Sequence, residues 1–66
     1  MLQVELSSRE LEIVHGIIAG KTSSEIAWEL SLSVETVKWY RKKLLHKYEA
    51  RNSAALISVL KEYGEI

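Results

Sequence analysis

The chain has 66 residues, nine lysines and arginines balanced by nine acidic residues, and neither cysteine nor proline. That length allows one domain near the lower limit for an autonomous core, and the lack of cysteine excludes a disulfide framework, a thiolate metal site and a cysteine nucleophile. No apolar run approaches the roughly 18 residues that span a bilayer, and the start carries no signal-peptide pattern, so a soluble, cytoplasmic protein with no membrane partner is expected.

Residues 1–5 show no clear periodicity and read as a short lead-in that frays unless something docks on it. Leu6-Ser7-Ser8-Arg9-Glu10-Leu11 is then a helix start. Ser7 can cap while Glu10, three residues on, reaches back, and Leu6 and Leu11 occupy the two positions of a hydrophobic staple. The first helix is expected over 8–19, with Leu11, Val14, Ile17 and Ile18 as its buried stripe and Leu6 closing the end. Gly20 follows where a left-handed backbone ends a helix at little cost.

Thr22-Ser23-Ser24-Glu25 is a second capping box, opening a helix over 23–30 with Ile26, Ala27 and Leu30 inward. At about two turns it must depend on packing rather than propensity. Ala27 is small enough to let another helix approach closely. Trp28 points the opposite way, as a partly covered surface aromatic or as a contact for a domain outside this chain.

Ser31-Leu32-Ser33 makes a tight connection in which Leu32 plugs the gap between two helices. Ser33 is a good N-cap for a third helix over 34–48, which holds no glycine or proline. On a 3.6-residue wheel Val37, Leu44 and Tyr48 fall on one side, flanked by Tyr40 and Arg41. The far side carries Glu35, Trp39, Lys42, Lys43 and His46, with Lys38 and Leu45 between the faces. A surface helix buries its large apolar residues, so Trp39 among lysines needs a reason.

Glu49-Ala50-Arg51-Asn52 breaks the pattern, and Asn52 or Ser53 caps a last helix over 53–63, stopped by Gly64. Its apolar arc is broad, comprising Leu56, Ile57, Val59, Leu60 and Tyr63, with Ala54, Ser58 and Lys61 opposite. Either all of it packs inside one monomer, or Ile57 or Val59 remains for a second subunit. No period-2 run or internal repeat occurs, so the fold expected is all-α, with four helices, short loops and a tight helix-turn-helix at the centre.

Zero net charge argues at first against a nucleic-acid partner, but its distribution is uneven. Residues 1–37 carry Arg9 and Lys21 against six glutamates, whereas residues 38–66 carry seven basic residues against Glu49, Glu62 and Glu65. Lys38, Arg41, Lys42, Lys43, Lys47 and Arg51 form a local basic block, and a polyanion responds to the local field. A solvated helix face would carry the same charges. A helix with a narrow apolar seam, basic side chains and an outward aromatic suits insertion into a DNA major groove.

From Leu6 to Leu60 the chain resembles the LuxR-type (GerE-like) helix-turn-helix domain. The shared pattern is Leu6/Ser7 with Arg9-Glu10, Gly20, Glu25-Ile26-Ala27, Leu30, Ser33, Thr36-Val37-Lys38, Lys47 and a terminal amphipathic helix. The resemblance implies a tri-helical core plus a C-terminal helix, and a transcriptional regulator of the response-regulator or quorum-sensing kind. It implies binding of double-stranded DNA as a homodimer, with the third helix in the major groove and the fourth pairing subunits through Ala54, Ile57, Ser58 and Lys61. Base contacts would then fall on Lys38, Trp39 and Lys42, and phosphate contacts on Thr22, Ser23, Ser24, Thr36, Lys43 and Lys47. Hydroxyls and helix N-termini suit phosphate oxygens, lysine can donate to guanine N7 or O6, and an indole can pack on a thymine methyl. RNA polymerase and an N-terminal sensor or receiver domain are further partners the resemblance admits. The chain reads equally as a free-standing regulator and as an excised output domain.

Several positions depart from the family pattern. Tyr40 stands where His is usual, Lys43 where Asn is, Tyr48-Glu49-Ala50 where Leu-Gly-Val is, and Ser53 where Arg is frequent. Losing that glycine predicts a third helix that ends differently and runs slightly longer. Trp39 is bulkier than the usual occupant of its position.

Two other classes compete. A protein-interaction module on this scaffold, pairing with a regulator and modulating it, would account for zero net charge and for Trp28 and Trp39. A promoter-recognition domain of a sigma-like factor shares the motif but usually with a more basic recognition helix. Enzymatic activity is not expected, since His15 and His46 lie on different helices without a carboxylate–nucleophile partner and no metal-ligand spacing or cofactor motif is present. His15 reads as a boundary residue of the first helix and His46 as a surface histidine.

Overall fold

The computed structural model describes residues 6–64, so the expected lead-in at residues 1–5 lies outside the described residues. The chain is all-α and folds as α1 (Ser8–Ile18), α2 (Ser23–Leu30), α3 (Val34–Lys47) and α4 (Ser53–Glu62). Local chemistry starts every helix. The Ser7 and Thr22 hydroxyls each accept the backbone N–H three residues on, at 3.1 Å, and the Glu10 and Glu25 carboxylates reach back to the cap N–H. Ser33 and Asn52 cap α3 and α4 by accepting from the N–H groups of Thr36 and Ala55.

The first three helices end in one way, whatever residue stands at the turn. After α1 the Lys21 N–H donates to the Gly16 carbonyl and that of Gly20 to Ile17. Leu32 and Ser31 repeat the pair on Ala27 and Trp28, and Ala50 and Glu49 on Leu45 and His46. This doubled bond satisfies otherwise orphaned carbonyls and requires a left-handed residue at its centre. Gly20 meets that requirement freely at φ 78°, but Ser31 and Glu49 adopt it at φ 57° and 54°.

The expectation of a longer α3 is therefore corrected: the helix stops at Lys47 with Tyr48 as its cap. The Ala50 N–H bond to Leu45 at 2.8 Å, with Ala50 packed on the core, holds Glu49 left-handed without a glycine. A left-handed L-residue costs about 1–2 kcal/mol, partly offset because glycine loses more entropy on folding. Glu49→Gly is thus expected to stabilise the domain by about 0.5–1 kcal/mol, seen as a raised urea midpoint at unchanged slope. A lowered midpoint would show that the left-handed turn carries no strain.

α3 touches all three other helices, and α4 packs on both α1 and α3. The core is Ile13, Val14 and Ile17 of α1, Ile26 and Ala27 of α2, Val37, Leu44 and Tyr48 at and after α3, and Leu56 and Leu60 of α4. Leu6, Leu30, Leu32, Leu45, Ile57 and Val59 pack around it, half-buried. On α1 the observed face differs from the expected one. Ile13 is fully buried, Ile18 is 45% exposed and Leu11 only half-buried. The buried face runs through Glu10, Ile13, Val14 and Ile17, which is the i, i+3, i+4, i+7 spacing of a single helical stripe. Gly16 fixes this rotation, because a Cβ there would meet Ile26 Cγ1 at 2.6 Å and Cδ1 at 2.8 Å. Ile26 of α2 therefore approaches α1 at Gly16 more closely than a residue with a Cβ would allow. Among the described residues, no helix is long and apolar enough to cross a membrane.

Candidate nucleic-acid interface

α3 presents two unlike faces. Val37 and Leu44 are wholly buried and Tyr48 nearly so, while Lys38, Trp39, Lys42, Lys43 and His46 are exposed on the other side. Trp39 keeps 56% of its surface in contact with solvent. Its indole stands nearly perpendicular to the Tyr40 ring, with centroids 5.0 Å apart, and the Lys43 ammonium lies 5.0 Å from the centre of the indole. Trp39 and Lys43, together with Lys42, His46 and Lys47, line an open groove of about 520 Å³. All of these lining residues belong to α3, one aromatic among three lysines and a histidine.

One carboxylate organises part of this wall. Glu10 of α1 is only 3% exposed. Its Oε1 accepts the Ser7 N–H at 3.0 Å and the Lys47 ammonium at 3.3 Å, and its Oε2 lies 3.7 Å from Lys43 Nζ. Burial alone would raise the Glu10 pKa, but the Ser7 N–H and the charges of Lys47 and Lys43 outweigh it and hold the carboxyl below its ordinary value. Lys43 and Lys47, both expected at phosphates, thus carry a counter-charge within the fold. Among the described residues, Lys38 and Lys42 have no ion pair with a carboxylate. The lysines of the same helix therefore divide into a tethered pair and an unpaired pair. Sequence marks Glu10 only as half of a capping box. Its second role depends on lysines that are remote along the chain.

The start of α2 stands beside α3. Thr22 and Ser24 are exposed and Ser23 is half-buried. The Arg41 guanidinium reaches from α3 to the Ser23 hydroxyl at 3.4 Å and to the Ser53 hydroxyl at 2.9 Å. One side chain thus ties together the first residues of α2 and α4. The wheel placed Arg41 at the border of the buried face, and nothing in the sequence pattern marks this bridge. Ser53, which stands where the family often has arginine, is here the acceptor of an arginine supplied by α3. Thr36 is half-buried, its hydroxyl 2.8 Å from that of the N-cap Ser33.

On α4, Ala54, Ser58 and Lys61 are exposed along one side, and Ile57 is half-buried between them and the core. Tyr63 is exposed, with its ring 5.7 Å from that of Tyr48. His15 and His46 are both exposed. Among the described residues, no group of three or more histidines, cysteines or acids is placed to hold a metal ion.

The family model for bacterial regulatory proteins of the luxR family matches residues 4–60. The chain is 39% identical over 59 residues to the transcriptional regulatory protein DesR of Bacillus subtilis, covering 89% of this chain and 30% of that protein. It is 42% identical over 50 residues to the regulatory protein SdiA of Escherichia coli, covering 76% of this chain and 21% of SdiA. It is also similar to the nitrate/nitrite response regulator protein NarP of Escherichia coli, 37% identical over 60 residues, which span 89% of this chain and 28% of NarP. The chain thus spans less than a third of the length of these relatives. With the helix order, the capping residues and the exposed basic face of α3, the match over most of its length shows that the chain belongs to the LuxR family of bacterial regulatory proteins.

Proposed function

We propose that the domain binds double-stranded DNA sequence-specifically in transcription regulation, with α3 in the major groove. The observation that carries this reading is the outward face of α3, where Lys38 and Lys42 have no ion pair with a carboxylate among the described residues and Trp39 is exposed between them. Lys38, Trp39 and Lys42 read bases in this arrangement, while Thr22, Ser23, Ser24, Thr36, Lys43 and Lys47 face phosphates. Arg41 positions the first turn of α2 for that contact through Ser23. A second copy, paired along Ala54, Ile57, Ser58 and Lys61 of α4, would present two α3 helices to half-sites about one helical turn apart. In a longer protein the domain would serve as the output of a sensor or receiver domain.

Fluorescence anisotropy on mixed duplexes tests the reading directly. Binding is expected to weaken steeply with salt, because each phosphate neutralised releases counterions. No binding at about 50 mM salt, where such contacts are strongest, would overturn it. In the same assay Trp39→Ala and Lys42→Ala are expected to weaken specific binding by about tenfold or more, the scale of 1–3 kcal/mol per base contact, while leaving Tm nearly unchanged. A loss of around 3 kcal/mol of stability in Trp39→Ala would instead make that side chain part of the core.

Trp28 favours a second, compatible reading. It is 86% exposed on α2, where it lines a surface depression with Lys21, Ser24, Glu25 and Glu29, and a protein contact there would accompany DNA binding. Trp28→Ala is then expected to leave duplex affinity unchanged.

A further inference from the structure

Trp39 is a large apolar side chain on a face that otherwise carries Glu35, lysines and a histidine, and its placement says what kind of chemical group it can meet. The indole has two neighbours on its own helix. The Tyr40 ring abuts it at 78° and the Lys43 ammonium covers part of it from 5.0 Å, a cation–π distance. Lys43 is in turn anchored 3.7 Å from the buried Glu10 carboxylate, so the support reaches back to α1. What remains open to solvent is an apolar surface on the groove that Trp39 lines with Lys42, Lys43, His46 and Lys47.

An exposed indole offers a partner two things. Its single donor, Nε1–H, can address any acceptor and so carries little sequence information. Its apolar surface is selective, because the edges of the base pairs expose one apolar group in the major groove, the C5-methyl of thymine. The flanking lysines suit the polyanionic surroundings of that methyl, which an uncharged protein partner would not supply. We infer that Trp39 makes α3 a reader of the pyrimidine C5-methyl group, supported on the Tyr40 ring and the Lys43 ammonium. The inference rests on α3 entering the major groove as proposed above. It adds that the methyl, rather than the base, is what is recognised. 5-Methylcytosine carries the same methyl in the same groove, so it would be preferred over cytosine at the position facing Trp39. The domain would then be sensitive to cytosine methylation wherever that position is cytosine.

The test begins with the 66-residue chain selecting bound sequences from a random duplex pool. In the recovered duplex each thymine is replaced singly by deoxyuridine, which removes only the C5-methyl. Wild type is expected to lose about four-fold in affinity at one thymine of a half-site, the factor that ~0.8 kcal/mol for a buried methyl converts to at 1.4 kcal/mol per tenfold. Trp39→Ala is expected to bind the thymine and deoxyuridine duplexes equally. With cytosine at the same position, 5-methylcytosine should restore a similar factor to wild type alone. Equal wild-type affinity for thymine and deoxyuridine at every position overturns the inference, as does discrimination that survives in Trp39→Ala. Salt-dependent duplex binding without methyl discrimination would leave the DNA-binding reading standing and remove this one, whereas no binding to any duplex would remove both.

Discussion

Leu44→Ala is expected to leave the domain largely unfolded at room temperature. Leu44 is wholly buried on α3, the helix that touches the other three, and it lies in one cluster with Val14, Ile26, Leu56 and Leu60. Truncating a buried leucine costs about 2–5 kcal/mol, the higher values where neighbours cannot collapse into the space. The cluster to which it belongs draws side chains from all four helices, so relaxation would have to move several helices at once. A core of this size rarely supplies more than about 3–5 kcal/mol in total, so the loss is comparable with the whole stability. Loss of the helical circular dichroism signal, with a urea transition absent or shifted close to zero denaturant, checks it. A variant that still unfolds cooperatively within about 1 kcal/mol of wild type would mean that Leu44 is not the centre of the core. Set beside Trp39→Ala, five residues away on the same helix, this separates the two faces of α3: one substitution should abolish folding and the other only recognition.

The contrast between those two positions was legible in the sequence because it depends only on helical period. Val37, Leu44 and Tyr48 fall together on any wheel of α3, and the structure buries all three. The helix starts were legible for a similar reason. Ser7 with Glu10 and Thr22 with Glu25 are three-residue patterns whose hydrogen bonds close within one turn. What could not be read depends on contacts distant along the chain. Leu11 and Ile18 are as apolar as Ile13, so α1 alone offers two possible buried faces. The choice is tied to the close approach of Ile26 to Gly16, and Ile26 belongs to another helix. The end of α3 was misjudged for a related reason. Glu49 has no intrinsic preference for φ 54°, but Ala50, packed on the core, imposes it. At the candidate interface, Trp39 and Lys42 fall on the outer side of the wheel and are exposed in the structure, and Lys38, which the wheel sets between the two faces, is exposed beside them. The tethering of Lys43 and Lys47 by Glu10, and the Arg41 bridge between Ser23 and Ser53, exist only once α1, α2 and α4 have met α3.

That tether leads to the second large expected effect, in Glu10→Gln. Glutamine can still take part in the cap with Ser7, but it cannot supply the charge that holds Lys43 and Lys47. Replacing a buried, charge-assisted acceptor by a neutral one is expected to cost about 1–3 kcal/mol at neutral pH. The pH dependence has a definite sign. The folded-state pKa of Glu10 lies below its ordinary value, so its contribution is present above the unfolded-state pKa of about 4.3 and is lost as pH falls through the folded value. Wild type should therefore lose part of its stability on acidification below about pH 4.3, and Glu10→Gln should lack that part, which urea titrations at several pH values would show. DNA binding should move the opposite way from stability. The variant gains one positive charge and releases two lysines toward the groove, so non-specific duplex affinity should rise. The slope of log affinity against log salt should steepen by about 0.9 for each additional phosphate engaged. A variant that is less stable and also binds more weakly at unchanged slope would show that Glu10 positions the lysines for DNA rather than neutralising them.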